Sequence, residues 1–192
     1  MPWEFQRYLQ QQDIPSFEEV YARIKRIPYL RWRALFSLLY LTGARISEIL
    51  ISTPEDFELI ERKDKKIFLV TLYNEKHRSR KIKKIPIVIT DDKIRNMVNW
   101  IIAYINEKLE QINLKDEVLW NISLARAYKL CRKYMKMNPH FVRHIRLTHL
   151  IIDHNFNEHE LKTFAGWTDT RPAAKYVEMN WKNLISKLSV RE

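Results

Sequence analysis

Between Thr90 and Leu109, the residues Ile94, Met97, Val98, Ile101, Ile102, Ile105 and Leu109 recur at three- and four-residue spacing. That period lines up one apolar stripe on an α-helix but scatters it over both faces of a strand. A helix striped in this way has to pack against other elements. Other segments supply them. Ser16 and Glu19 form a capping-box pattern that opens a helix through SFEEVYARIKRI. Tyr29–Leu41 reads as a second helix ending near Gly43, and RISEIL as a short third. Later helices fit Ser123–Met137, Phe141–His154 and Asn157–Phe164, the last with Asn157 and Glu160 as a capping pair. Between these groups, FELI, IFLVTLY and IKKIPIVI are short apolar-rich runs separated by charged turns, which predicts a small antiparallel sheet. The expected class is mainly α with one small antiparallel β-sheet, an α+β fold. Residues 1–13 read as an extension or linker remnant. Residues 14–192 read as one domain that includes an amphipathic C-terminal helix at 181–189, with Trp181, Leu184, Ile185 and Leu188 on one stripe.

Charge narrows the partner. The chain carries 34 Lys and Arg against 23 Asp and Glu, a formal net charge of +11 over 192 residues. An excess this large points to a polyanion, with nucleic acid first and an anionic membrane surface second. The alternative is a Lys-rich surface with no specific partner. One cysteine, Cys131, rules out a disulfide within the chain. The N-terminus MPWEFQRYLQ has no apolar signal region, and the run LFSLLYL is too short to span a bilayer. No membrane association and a cytoplasmic location are expected.

The stretch 140-HFVRHIRLTHLIIDH-154 holds four of the six histidines. His140 and His144 have the spacing of a helical zinc site, but Phe141 stands where a zincin has its glutamate, and Arg143 would repel a divalent cation. No metal and no cofactor are expected. His140 and Arg143 share a helical face, where imidazole and guanidinium donors could converge on one phosphate. The only glycines, Gly43 and Gly166, fall in 42-TGAR-45 and 165-AGW-167. Helix C-caps would account for both.

Taken together, these segments carry a resemblance. The stretch 42-TGARISEI-49 resembles the first arginine motif of the tyrosine recombinase (phage integrase) family. The stretch 140-HFVRHIRLTHLIIDHNFNEHELKTFAGW-167, with Tyr176 nine residues on, resembles its second half. Order and spacing match from about residue 14 to 185. The resemblance implies that Arg45, His140 and Arg143 surround a scissile phosphate and that Tyr176 is the nucleophile. Trp167 falls where most members have histidine. The family's catalytic lysine lies on a β-hairpin, here 74-NEKHRSRKIKK-84, and Lys76 is the choice. Arg78, Arg80, Lys81, Lys83 and Lys84 would lie along the DNA backbone. The resemblance also implies double-stranded DNA as partner and a tetrameric synapse formed on DNA by a protein that is largely monomeric when free. Members usually carry an N-terminal DNA-binding domain as well. Only about thirteen residues precede the matched region, so the chain reads as a catalytic fragment or a minimal recombinase, in the host nucleoid if it is viral.

The chemistry of these residue types agrees. Attack on a phosphodiester concentrates charge on the non-bridging oxygens, and two guanidinium forks stabilise it. A tyrosine hydroxyl needs nearby cations or a positioned base, for which His140 is suited. The departing 5′-oxygen needs a proton, which an ammonium can give. Two rivals share these residues: a type IB topoisomerase, and a catalytically silent relative that only grips phosphate.

Overall fold

The computed structural model describes residues 14–73, 82–111 and 117–177. The hairpin residues Lys76, Arg78, Arg80 and Lys81, and the expected helix at 181–189, lie outside the described residues.

Helix α1, Phe17–Lys25, starts where expected: Ser16 Oγ accepts the Glu19 N–H at 3.2 Å, and the Glu19 carboxylate accepts the Ser16 N–H at 2.8 Å. Helix α2, Leu30–Thr42, is buried at every residue from Ala34 to Thr42 and forms the centre of the fold. A short helix α3, Ile46–Leu50, and a 3-10 turn, Pro54–Asp56, lead into the sheet. Its strands β1 (Phe57–Arg62), β2 (Lys65–Tyr73) and β3 (Ile82–Val88) pair antiparallel in that order. Val70 stands opposite Phe57 and Ile85, and Phe68 opposite Leu59 and Ile87. Strand alternation therefore gives one face to the core, where Phe68, Val70, Leu72, Ile85 and Ile87 are buried.

Helix α4, Asp92–Gln111, realises the apolar stripe and packs along α2. Met97, Val98, Ile101 and Ile105 are buried, each fully buried side chain stabilising the fold by about 1.5–3 kcal/mol. Leu109, the last residue of the stripe, is exposed. Helix α5, Leu124–Met135, follows, capped by Ser123 and closed by Lys136 in a left-handed conformation.

Helix α6 spans Pro139–Ile152 and starts two residues earlier than its apolar period suggests. Asn138 supplies the reason. Its side chain accepts the Phe141 N–H at 2.8 Å, and Pro139 is preorganised for the first helical position. His140 thus sits inside the first turn. Helix α7, Glu158–Ala165, carries the expected Asn157/Glu160 capping box. Helix α8, Arg171–Val177, was not legible as an element, because RPAAKYV is too short to display a period. α6 faces two cores: Val142 and Ile145 join the main one, while Leu147, Leu150 and Ile151 join Leu161, Ala165 and Ala173 in a second. Trp167 and Tyr176 pack against that second cluster.

Candidate phosphate-binding site

The site begins where α2 stops. Gly43 has φ +54°, the left-handed conformation glycine adopts without steric cost, and the chain turns so that Arg45 becomes the N-cap of α3. A Cβ at Gly43 would lie 3.3 Å from Arg146 Cγ and 3.5 Å from Phe164 Cε1, so the approach of α6 and α7 also requires glycine. Arg143 reaches across from α6, donating from Nη1 to the Gly43 carbonyl at 2.6 Å and from Nη2 to the Ala165 carbonyl at 3.3 Å. These bonds hold a buried guanidinium in one orientation. Arg45, His140 and Arg143 line one open cleft with Ala44, Ser47, Leu124 and Tyr128. The sequence-derived arginines and histidine do meet.

Glu48, one turn into α3, organises the cations. Its carboxylate accepts the Arg45 backbone N–H at 3.0 Å, Arg45 Nη1 at 3.0 Å and Lys83 Nζ at 3.2 Å. Burial raises the Glu48 pKa, but Lys83, the Arg45 N–H and Arg143 outweigh it, so the group stays ionised below the usual carboxylate range. Three cations share this one carboxylate. Burial pushes Lys83 down to about 8, against the pull of Glu48 and with the repulsion of Arg143 and Arg45. Burial, Arg143 and Arg45 likewise depress His140, which leaves a neutral imidazole able to accept a proton. Such a cleft is electrostatically short of an anion, and phosphate fits the fixed donors.

Tyr176 comes from α8. Its ring centroid is 5.0 Å from that of His144 and 5.9 Å from that of Trp167, the latter stacked at 30°. Arg143 Cζ lies 5.7 Å from the Trp167 ring, so guanidinium, indole and phenol form one layer. Burial drives the Tyr176 hydroxyl up to about 12, with Arg143 pulling it back. His144 is 4% exposed, and burial, aided by His140, pushes it down to about 4. The histidine beside Tyr176 is therefore His144, which is neutral at neutral pH. His149 is buried elsewhere on α6, and His154 and His159 are exposed. Among the described residues, no group of three His, Cys, Asp or Glu could hold a metal ion, and no helix is long and apolar enough to cross a membrane.

No protein-family model matches the chain. A probable site-specific recombinase of the afa region of Escherichia coli is 27% identical over 186 residues, covering 90% of this chain and 72% of the relative. The crystal structure of XerA recombinase matches at a TM-score of 0.71 and 17% identity, over 93% of this chain and 65% of that one. XerH site-specific recombinase, bound to its difH substrate in a pre-cleavage complex, matches at 0.69 and 17% identity, over 91% of this chain and 52% of that one. The chain has the fold of the tyrosine recombinases. It has the catalytic-domain fold and spans about half to two thirds of the length of these solved relatives.

Within this recombinase fold, two features escaped the sequence reading. Glu48 is one of them, and its only sequence signal is the capping position three residues after Arg45. Lys83 is the other, one more cation of the 74–84 run by sequence. Strand alternation puts it on the inner face with Ile85 and Ile87, its side chain 11% exposed, while Lys84 points outward and is exposed. Gly166, with φ +70°, leaves room for it: a Cβ there would meet Lys83 Cδ at 2.9 Å.

Proposed function

We propose that the chain carries out site-specific DNA recombination, cutting and rejoining duplex DNA through a 3′-phosphotyrosyl intermediate with no metal or cofactor. The observation that carries this reading is the convergence of Arg45, His140 and Arg143 on one cleft, with Tyr176 layered against Arg143 through Trp167. Arg45 and Arg143 clamp the non-bridging oxygens, and their charge stabilises the crowded phosphorus as the Tyr176 oxygen attacks. The Tyr176–phosphorus bond forms, the bond to the 5′-oxygen breaks, and the phenolic proton passes to His140, the base that the family resemblance assigns, one helical turn before the His144 that packs on the Tyr176 ring. Trp167 offers an N–H to a phosphate oxygen. A lysine gives the 5′-oxygen its proton; Lys76 is the assignment from family resemblance, and Lys83 is the lysine already beside the cleft. The raised Tyr176 pKa keeps the hydroxyl protonated, so a base has to take its proton during attack.

The duplex lies over the cleft and along α5, where Arg126, Lys129, Arg132 and Lys133 are exposed beside the cleft residues Leu124 and Tyr128. Such contacts position DNA without reading its sequence. Lys84, exposed on β3, is assigned to the DNA backbone as well, and the family resemblance assigns Arg78, Arg80 and Lys81 the same role. Four protomers assemble on DNA, coupled through residues 181–189, and the free protein is largely monomeric. Trapping on a nicked suicide substrate in EDTA tests the reading. A covalent protein–DNA adduct is expected; retarded mobility without an adduct makes the chain a binding module.

A further inference from the structure

Beyond Arg143, α6 carries a second set of buried polar side chains that face away from the cleft. Tyr40 Oη lies 2.7 Å from His149 Nδ1, with the two residues 1% and 5% exposed. His149 also bonds the Pro15 backbone, and a proline offers only a carbonyl, so the imidazole donates there. Nδ1 of the neutral ring must then accept, and the Tyr40 hydroxyl donates. Arg146 lies against the same ring, its guanidinium carbon 5.4 Å from the Tyr40 centroid and its Nε buried without a hydrogen-bond partner. Phe17 stacks on the other side of that ring at 5.8 Å and 9°.

Apolar side chains could fill this space without burying a charge, so the network needs a reason. Its placement supplies one. Tyr40 lies three residues before Gly43, and Arg146 three residues after Arg143. Gly43 is gripped by both arginines: Arg143 Nη1 bonds its carbonyl at 2.6 Å, and Arg146 Cγ packs where a Cβ would be. Apolar packing resists separation of α2 and α6 but tolerates sliding, whereas directional bonds do not. We propose that Tyr40, Arg146 and His149 are positioning residues that fix the end of α2 against α6 and so set the spacing of Arg45 and Arg143 over the phosphate. The inference rests on the cleft being the site of phosphoryl transfer.

The test is single-turnover cleavage by wild type, Tyr40→Phe and Arg146→Lys on two substrates: one with an ordinary scissile phosphodiester, one with a neutral methylphosphonate in its place. The methylphosphonate lacks the charge that the two arginines clamp, so its cleavage depends less on their spacing. On the phosphodiester, Tyr40→Phe should cleave about tenfold to a hundredfold more slowly, the scale of a small misplacement of catalytic groups. DNA affinity should stay within about twofold, because exposed phosphate contacts dominate it. The deficit on the methylphosphonate should be several-fold smaller. Equal deficits on both substrates, as a reduced folded fraction would give, overturn the proposal, and so does no deficit. Melting curves report the folded fraction, and whichever variant stays folded decides by the same ratio. A wild type that forms no adduct on either substrate overturns the functional reading itself, before any variant is compared.

Discussion

Lys83 and Glu48 form an ion pair across 35 residues of sequence, Nζ to Oε2 at 3.2 Å, with side chains 11% and 7% exposed. It joins β3 to the arginine turn, so the sheet is registered on the cleft. Removing one partner of a buried pair leaves the other uncompensated. Lys83→Met should therefore destabilise the fold by about 3 kcal/mol, read from urea denaturation. Lys84→Met, on the exposed face, should be near neutral. Equal small effects would mean that the pair is not a structural tie.

The same pair bears on which lysine protonates the leaving oxygen. Lys83 loses its proton near pH 8, so an ammonium acting there is present below that value and lost as pH rises through it. If Lys83 is the acid, cleavage falls above about pH 8, and Lys83→Ala is rescued by a 5′-bridging phosphorothiolate, whose leaving group needs no proton. If Lys76 is the acid, Lys76→Ala is the variant rescued. Rescue of one lysine variant and not the other assigns the role; rescue of neither removes general acid catalysis from both.

His144 makes the fold sensitive to acid. Its pKa is about 4 when folded against 6.5 when free, so between these values the unfolded chain binds a proton that the folded chain does not. Stability should fall as pH drops through this window, and His144→Gln should flatten the slope of melting temperature against pH. An unchanged slope would place the acid sensitivity in other groups.

Assembly is tested by deletion. Removing the residues after Asn180 takes away the stripe of Trp181, Leu184, Ile185 and Leu188. Synapsis and strand exchange should suffer more than initial DNA binding, measured by native gel mobility. A truncated protein that assembles and recombines like the full chain shows that the tail is not the coupling element. One that unfolds shows that the tail packs on its own domain.

The sequence carried the architecture further than it carried the site. Periodicity placed α4 and the strands because burial alone selects their apolar residues. It missed the start of α6, which depends on the Asn138 cap, and all of α8, which is held by Ala173 and Tyr176 against α6 and α7. Motif order was enough to bring Arg45, His140 and Arg143 together. The roles of Glu48 and Lys83 were hidden because they arise from a contact between distant segments. The Tyr40–His149 bond spans 109 residues and leaves no local pattern at all.

The proposed mechanism turns on the attack of Tyr176 on DNA. Its most direct measurement is adduct formation on a suicide substrate by wild type and Tyr176→Phe, with binding measured on the same DNA. The substitution removes one oxygen and keeps the ring that packs on His144 and Trp167. Wild type should form an adduct whose linked peptide contains Tyr176, while Tyr176→Phe should bind nearly as tightly and form none. An adduct that survives in Tyr176→Phe contradicts the account.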